Sequence, residues 1–284
     1  MRKEGYRPAT IESAVRYLKR VARHVDVLNP EEVKAHVASA SWSESHKERV
    51  CDDLARFYRF SNTPFEQPRY RKILRLPFIP LEREVDELIS GVAGKKTSCF
   101  LRLLKETAMR AGEAWALRWI DIDFEKGTVN VKPEKNSNPR ILRISSRLIA
   151  MLSALGKDSE WVFRTANPNP LRSMDNFRTT FERQRRAVAQ RLQNPRIHQI
   201  SFKTLRHFKA TVFYHQTKDI VATMQMLGHK NIKNTLVYTH LINFESDDCV
   251  CKTAKTVGEA KVLVESGFDY VTDIDGIKLF KKRR

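Results

Sequence analysis

Cysteine is scarce in this sequence, and its scarcity excludes two kinds of stabilising site. The 284 residues contain four cysteines, Cys51, Cys99, Cys249 and Cys251, which are too few and too scattered for a disulfide framework. Cys249 and Cys251 have no second cysteine pair and no nearby histidine that would complete a zinc spacing. We therefore expect reduced thiols and no bound metal.

Long apolar runs are also missing. No stretch approaches the roughly 18–20 apolar residues that a membrane-spanning helix needs. The N-terminus, "MRKEGYRPAT", is polar and has no apolar segment of the kind found in secretion signals. The sequence therefore predicts a folded cytoplasmic protein without a membrane-spanning helix.

Acidic residues are few relative to basic ones. The chain has 52 lysines and arginines against 33 aspartates and glutamates, a formal net charge of +19. So many positive side chains repel one another, which destabilises the folded protein unless a bound polyanion neutralises part of the charge. Nucleic acid is the first candidate, because its phosphates release counterions when lysine and arginine replace them. An anionic membrane is the second, but the basic residues form no single amphipathic anchor. Composition leaves open whether the protein only binds nucleic acid or also cuts it.

The first part of the chain reads as helices followed by a linker. Residues 1–62 contain three helical patterns, one of which opens with Asn29 as a cap and Pro30 at the first helical position. Residues 63–80 contain four prolines and several basic side chains, which predict an extended interdomain linker. The linker would be either a solvated connector or a strap lying against a phosphate backbone.

The remainder divides into a larger segment, 81–245, and a tail, 246–284. In the larger segment, "TVNVKPE" and "PRILRIS" flank "KNSN" and predict a β-hairpin. Helices are predicted in chain order at residues 146–155, 176–192, 202–216, 219–227 and 232–241. The tail predicts strand, helix, strand, Asp-Gly turn and strand. The expected fold class is mainly α with a small β component (α+β), containing a small antiparallel sheet.

Four cations of the larger segment have ordinary explanations when each is taken alone. Arg110 follows a helical segment, where a surface arginine is common. Lys135 falls at the hairpin tip, where a solvated lysine is common. Lys203 and Arg206 lie three residues apart on one helix face, and a solvated face explains both.

A histidine and a tyrosine close the larger segment in "LGHKNIKNTLVYTH". His229 follows Gly228, which suits a helix end. Tyr238 lies nine positions after His229. On an α-helix, at about 100° per residue, Tyr238 falls off the apolar stripe of Ile232 and Leu236. Val237 and Leu241 lie nearer to Tyr238, which leaves partial burial open. Between the two, periodicity favours a tyrosine whose hydroxyl faces away from the core.

Taken together, the order Arg, hairpin Lys, Lys-x-x-Arg, Gly-His and Tyr resembles the tyrosine recombinases, or phage-type integrases. "LGHKNIKNTLVYTH" matches the family's Leu-Gly-His with its nucleophilic tyrosine nine residues later. "KTLRHFKAT" matches the second box, and "TAMRAGEAWALRWIDID" matches the first. The likeness covers about residues 81–241. The helical N-terminal segment is similar to the family's core-binding domain, and the tail most resembles integrases of archaea.

Two departures from the family pattern stand in these boxes. Lys203 occupies a position where most members have histidine, and either side chain can exchange a proton. Ala108 occupies a position where glycine is common, which affects local backbone freedom. Every position that the resemblance implies to be catalytic otherwise carries a chemically competent residue, which argues against an inactive relative.

The resemblance implies a helical DNA-binding domain at 1–62 and a recombinase catalytic domain at 81–245. It implies Tyr238 as the nucleophile that attacks a DNA phosphodiester. Arg110, Arg206 and His229 would stabilise the charge on the phosphoryl oxygens. Lys135 would protonate the leaving 5′-oxygen, and Lys203 would stand at the general-base position.

The implied activity is site-specific recombination of double-stranded DNA, without ATP, metal or other cofactor. The implied assembly is a homotetramer around two duplexes, formed from a protein that is monomeric when free and nucleoid-associated. A type IB topoisomerase would use the same tyrosine chemistry on one duplex. A non-catalytic DNA-binding or architectural protein would satisfy the charge alone, but such a protein needs no complete set of these six residues.

Overall fold

The computed structural model describes residues 1–71, 76–134, 137–164, 170–240, 249–274 and 276–283. Its contacts divide the chain into two compact units, Met1–Arg75 and Leu76–Arg284. Within the described ranges, no helix is long and apolar enough to cross a bilayer.

The first unit is a bundle of three helices. They are α1 (Pro8–Val21), α2 (Pro30–Ser39) and α3 (Glu44–Phe60). Helix α2 begins as its sequence predicts, because the Asn29 side chain accepts hydrogen bonds from the backbone N–H groups of Glu31 and Glu32. The buried core of the bundle consists of Val21, Val33, Val37, Val50, Cys51, Leu54 and Tyr58.

The beginning of the predicted linker packs against this helical unit. Phe65 and Tyr70 lie against its core, with the Phe65 ring stacked on that of Tyr58 at 4.6 Å between centroids. The side-chain amide of Gln67 donates to Asp52 at 2.8 Å. These residues therefore cover the bundle, and residues 72–75 lie outside the described part of the chain.

The second unit contains most of the helices and a small sheet. Its helices up to residue 227 are α4 (Glu82–Gly91), α5 (Lys95–Thr107), α6 (Ala111–Trp115), α7 (Ser146–Ser153), α8 (Pro170–Arg191), α9 (Phe202–Thr217) and α10 (Ile220–Leu227). The sheet is antiparallel with strands β1 (Ile122–Asp123), β2 (Thr128–Val131) and β3 (Arg140–Arg143) in that order. Val129 pairs with Leu142, so the predicted hairpin and the predicted α+β fold class are confirmed.

Helix α5 forms the centre of this unit. Its residues Cys99, Phe100, Leu103 and Leu104 are fully buried, and the Phe100 ring meets that of Phe202 on α9 at 5.1 Å. Burying each large apolar side chain contributes about 1.5–3 kcal/mol. The contact between α5 and α9 therefore positions the end of α5 next to the beginning of α9, where the candidate site lies.

The predicted helix at 232–241 is wrong. The chain instead forms two short 3-10 turns, Ile232–Asn234 and Leu236–His240. The backbone N–H groups of Thr235 and Tyr238 bond three residues back, to Ile232 and Thr235. The Thr235 hydroxyl lies 3.0 Å from His229 Nδ1, so the 3-10 turns are joined to the loop that carries His229.

The tail forms a separate small cluster with the predicted order of elements. Strand β4 (Cys249–Ala254) is followed by α11 (Val257–Glu265), β5 (Asp269–Ile274) and β6 (Ile277–Arg283). The antiparallel sheet has the order β4–β6–β5. Its buried residues are Ala254, Leu263, Phe268 and Phe280.

Candidate active site

Arg206 is a buried arginine held by the carbonyl groups at two helix ends. It lies on the second turn of α9, whose start is capped by Ser201 and Thr204. Its Nη1 donates to the Ala108 carbonyl at 2.5 Å, and its Nη2 donates to the Leu227 carbonyl at 2.8 Å. Burial lowers the pKa of Arg206 to about 10, so the guanidinium stays charged at neutral pH.

The end of α5 explains why Ala108 can serve as this acceptor. Ala108 follows the last helical residue in the left-handed conformation, with φ of 52°. This conformation ends the helix and leaves the Ala108 carbonyl free to accept from Arg206. It also explains why glycine suits this position, because only glycine adopts a positive φ without a steric cost.

His229 bonds to Arg206 and is neutral. Gly228, with φ of 67°, ends α10 and turns the chain toward the site. The Nε2 atom of His229 lies 3.1 Å from Arg206 Nη2, and its Nδ1 atom lies 3.0 Å from the Thr235 hydroxyl. Because arginine can only donate, Nε2 accepts and Nδ1 carries the hydrogen. Burial, together with the charge of Arg206, lowers the pKa of His229 to about 4.

Arg110 is oriented by a buried carboxylate that sequence reasoning missed. Arg110 caps the short helix α6, and its Nη1 donates to Glu113 Oε1 at 3.0 Å. The same carboxylate accepts from Arg140 at 2.7 Å and from the Ser137 hydroxyl at 3.0 Å. Burial would raise the pKa of Glu113, but the hydrogen bond and charge of Arg140, with those of Arg110, lower it to about 2. Glu113 is therefore a carboxylate under all ordinary conditions.

The same network attaches the hairpin to the loop of His229. The Asn138 backbone N–H donates to the Gly228 carbonyl at 3.0 Å. A Cβ atom at Gly228 would stand 2.9 Å from both the Asn138 carbonyl and Arg140 Nη1. Only glycine permits this approach. Lys135, the hairpin lysine predicted as a general acid, lies outside the described residues.

Tyr238 is buried, so the prediction that its hydroxyl faces away from the core is wrong. The residue is 2% exposed and belongs to the main core cluster. The prediction assumed α-helical geometry, whereas a 3-10 turn has about three residues per turn and rotates the side chain elsewhere. Burial raises the pKa of Tyr238, and the nearby charges of Arg206 and Arg110 oppose that rise.

His207 is the second functional candidate that sequence reasoning missed. Its Nδ1 atom lies 3.0 Å from the Tyr238 hydroxyl. Burial, with the charges of Lys203 and Arg206, lowers the pKa of His207 to about 4. The available signal was its place directly after Arg206 in "KTLRHFKAT", but nothing local indicated a contact 31 residues away.

Lys203 lies near these groups but in a different environment. It is exposed on the first turn of α9. Among the described residues no hydrogen bond joins its ammonium to Tyr238, although its charge acts on His207. The structure thus brings Arg110, Arg206, His229 and Tyr238 together and leaves Lys203 at the edge.

This arrangement suits an anion that carries a reacting phosphorus. Two guanidiniums and a buried phenol surround one region, and helix-end carbonyls and Glu113 fix the arginines in place. Over the described ranges, no group of three or more His, Cys, Asp and Glu side chains is arranged to hold a metal ion. Arginine side chains supply positive charge at this site, and they bind phosphate oxygens through pairs of hydrogen bonds.

Comparison with known proteins supplies relatives for both sequence and fold. Tyrosine recombinase XerC of Xanthomonas campestris is 26% identical over 232 residues, which cover 78% of this chain and 67% of the relative. Tyrosine recombinase XerA of Thermococcus kodakarensis is 26% identical over 248 residues, which cover 83% of this chain and 86% of the relative.

Solved structures agree on the fold. The Tn1549 transposon integrase with transposon right end DNA matches with a TM-score of 0.67 at 15% identity, over 86% of this chain and 93% of that one. A lambda integrase dimer on a COC′ core site matches with a TM-score of 0.64 at 16% identity, with the same coverage of both chains. The sequence profile of the Phage integrase family matches residues 81–244, more than half of the chain. The protein therefore belongs to the phage integrase family of tyrosine recombinases.

Proposed function

We propose that the protein is a site-specific recombinase that cleaves and rejoins double-stranded DNA through a covalent bond to Tyr238. The observation that carries this proposal is the convergence of Arg110, Arg206, His229 and Tyr238, of which Arg206 and Tyr238 are buried. DNA binding alone does not require a buried phenol that lies within the electrostatic influence of two guanidiniums. A protein with a net charge of +19 could bind DNA through its other cations alone.

The cleavage step follows from the chemistry of these groups. The Tyr238 oxygen attacks the phosphorus, and negative charge develops on the nonbridging oxygens. Arg110 and Arg206 donate hydrogen bonds that strengthen as this charge grows. Each such donor typically contributes about 10²–10³ in rate. In the free protein the Nε2 atom of His229 carries no hydrogen. His229 therefore donates to the phosphoryl group only after Nε2 has taken up a proton, which the negative charge of a bound phosphate favours.

The leaving group and the product complete the proposal. Lys135 protonates the departing 5′-oxygen, which would otherwise leave as an alkoxide. The product is a 3′-phosphotyrosine and a free 5′-hydroxyl. The covalent bond conserves the energy of the phosphodiester, so rejoining needs neither ATP nor metal. Cleavage should therefore persist in excess chelator.

Solved structures of relatives support double-stranded DNA as the partner. They include XerH recombinase on its difH substrate in pre-cleavage and post-cleavage complexes. We extend this to four protomers around two duplexes, with monomers before DNA binding. The helical domain at 1–62 and the catalytic domain at 81–245 would both contact DNA, and residues 63–80 would connect them. Action on cellular DNA would place the protein in the cytoplasm.

The test is the covalent adduct. Duplexes selected for binding from a random-sequence pool are nicked near the cleavage position, so that the released strand diffuses away. Wild-type protein should give an adduct that survives a denaturing gel, and Tyr238→Phe should give none. Tyr214→Phe, which removes a tyrosine hydroxyl from α9, is the matched control and should behave as wild type. An adduct with Tyr238→Phe would show that another residue is the nucleophile.

Strand exchange separates recombination from simple relaxation. Two differently labelled duplexes bearing the selected site should yield recombinant strands. A protein that relaxed supercoiled DNA and formed the adduct, yet never joined strands from two duplexes, would be a type IB topoisomerase-like enzyme.

A further inference from the structure

We propose that His207 is the general base that takes the proton from Tyr238 during attack on DNA. This inference rests on the proposed function, in which Tyr238 is the nucleophile. It assigns to His207 the step for which the family resemblance suggested Lys203.

The geometry places the base directly on the reacting atom. His207 Nδ1 lies 3.0 Å from the Tyr238 hydroxyl, within the range that proton transfer requires. The two rings are 5.8 Å apart between centroids and inclined by 48°, so they meet edge to edge through these atoms. Within the part of the chain that the structure describes, no other side chain is hydrogen-bonded to this hydroxyl.

Burial prevents bulk water from accepting the proton of Tyr238. Tyr238 is only 2% exposed, so its hydroxyl has little access to solvent. A phenol with a pKa raised by burial also rarely ionises on its own near neutral pH. The proton must therefore pass to a neighbouring group as the oxygen attacks.

His207 is in the correct protonation state to receive it. Burial and the charges of Lys203 and Arg206 hold its pKa at about 4, so the imidazole is neutral at physiological pH. In the tautomer with hydrogen on Nε2, Nδ1 offers a lone pair to the phenol. A bound phosphate adds negative charge beside Arg206 and makes the imidazolium easier to form.

The atoms balance through the whole step. The Tyr238 oxygen forms a bond to phosphorus while its proton moves to His207 Nδ1. The bond from phosphorus to the 5′-oxygen breaks, and that oxygen takes a proton from Lys135. On rejoining, the 5′-hydroxyl returns its proton to Lys135 as it attacks the phosphotyrosine, the bond from phosphorus to the tyrosine oxygen breaks, and His207 returns its proton to that oxygen. Lys203 lies one turn before His207 on α9, where its charge helps to keep the imidazole neutral.

The decisive experiment uses a substrate whose leaving group needs no proton. The selected DNA site carries sulfur in place of the bridging 5′-oxygen, so the rate reports on activation of the nucleophile. Single-turnover cleavage is measured between about pH 6 and pH 10 for wild type, His207→Ala and His207→Gln. His198→Ala, which removes an exposed histidine from the same unit, is the matched control. Gel-shift binding and thermal unfolding show whether each variant is folded.

We expect His207→Ala to cleave about 10²–10³-fold more slowly near pH 7, a typical loss for a general base. Its rate should rise nearly tenfold per pH unit, because hydroxide then generates the tyrosinate. Wild type and His198→Ala should be flat over this range. His207→Gln can hold the hydroxyl but cannot accept a proton, so it should match His207→Ala in rate and slope.

Three results would overturn the inference. Wild-type rates in His207→Gln would reduce His207 to a positioning role, and wild-type rates in His207→Ala would leave it with none. A slow variant with the flat pH profile of wild type would indicate a structural defect instead. Failure of the proposed function looks different, since Tyr238→Phe would then still form the adduct.

Discussion

The carboxylate of Glu113 and the guanidinium of Arg140 form a buried ion pair, with Oε2 and Nη2 2.7 Å apart. Their side chains are 0% and 6% exposed, respectively. Glu113 also accepts a hydrogen bond from Arg110, so this single carboxylate joins Arg110 to the loop end of the β2–β3 hairpin. The orientation of the Arg110 side chain therefore depends on a buried carboxylate.

Glu113→Gln tests this dependence through stability and its pH profile. A pKa held at about 2 instead of 4.5 corresponds to about 3 kcal/mol of stability. Because the folded pKa is depressed, this contribution is complete above about pH 4.5 and is lost as pH falls toward 2. Urea unfolding should thus show wild type about 3 kcal/mol more stable at pH 7 and the two proteins converging in acid. A gap that stayed constant down to pH 3 would contradict the assignment.

Gly228→Ala tests the attachment of the hairpin to the His229 loop. The new Cβ would meet the Asn138 carbonyl and Arg140 at 2.9 Å, and alanine at φ of 67° costs about 1 kcal/mol by itself. We expect a loss of roughly 2–3 kcal/mol in unfolding free energy and a marked loss of adduct formation. Gly258→Ala is the matched control, because nothing lies within 4 Å of its Cβ and α11 gains a better helix former. Equal effects of the two changes would exclude a specific role for Gly228.

Local sequence signals predicted the elements better than the site. Asn29 and Pro30 correctly predicted the start of α2, and two β-rich runs correctly predicted the hairpin. Both signals are local, because helix capping and strand alternation act over a few residues. The prediction for Tyr238 was wrong because it assumed an α-helix, whereas the chain forms 3-10 turns with a different side-chain period. Glu113 is 27 residues from Arg140 in sequence, and His207 is 31 residues from Tyr238. Local sequence patterns do not predict hydrogen bonds over such separations.

Ala108→Gly should stabilise the protein. Ala108 adopts φ of 52°, where a Cβ costs about 1 kcal/mol and glycine costs nothing comparable. Thermal unfolding should therefore occur at a higher temperature, with cleavage retained because the carbonyl that holds Arg206 is unchanged. Ala154→Gly, at the end of α7 with φ of −81°, should stabilise nothing. A loss of stability in Ala108→Gly would mean that backbone strain at this position is absent.

Thr235→Val tests how His229 is oriented. The change keeps the shape of a side chain that is 0% exposed but removes the acceptor for the His229 Nδ1 hydrogen. An unsatisfied buried donor costs about 1–3 kcal/mol, so the ring should rotate or change tautomer. We expect adduct formation to slow by roughly 10–100-fold with DNA binding intact. Thr235→Ser keeps the hydroxyl and should restore most of the rate, whereas a serine variant as slow as valine would point to packing as the cause.

Arg206→Lys separates charge from hydrogen-bond geometry at the centre of the site. Lysine keeps the positive charge but cannot bridge the Ala108 and Leu227 carbonyls while also presenting a pair of donors to phosphate. Adduct formation should fall at least 10²-fold, the loss typical of one transition-state donor. DNA affinity and its salt dependence should change little, because many other cations contribute to binding. Arg186→Ala, which removes an exposed cation from α8, should leave adduct formation near wild type at saturating protein. Parallel losses of binding and cleavage in Arg206→Lys would show that Arg206 acts as one more binding cation and not at the reacting phosphate.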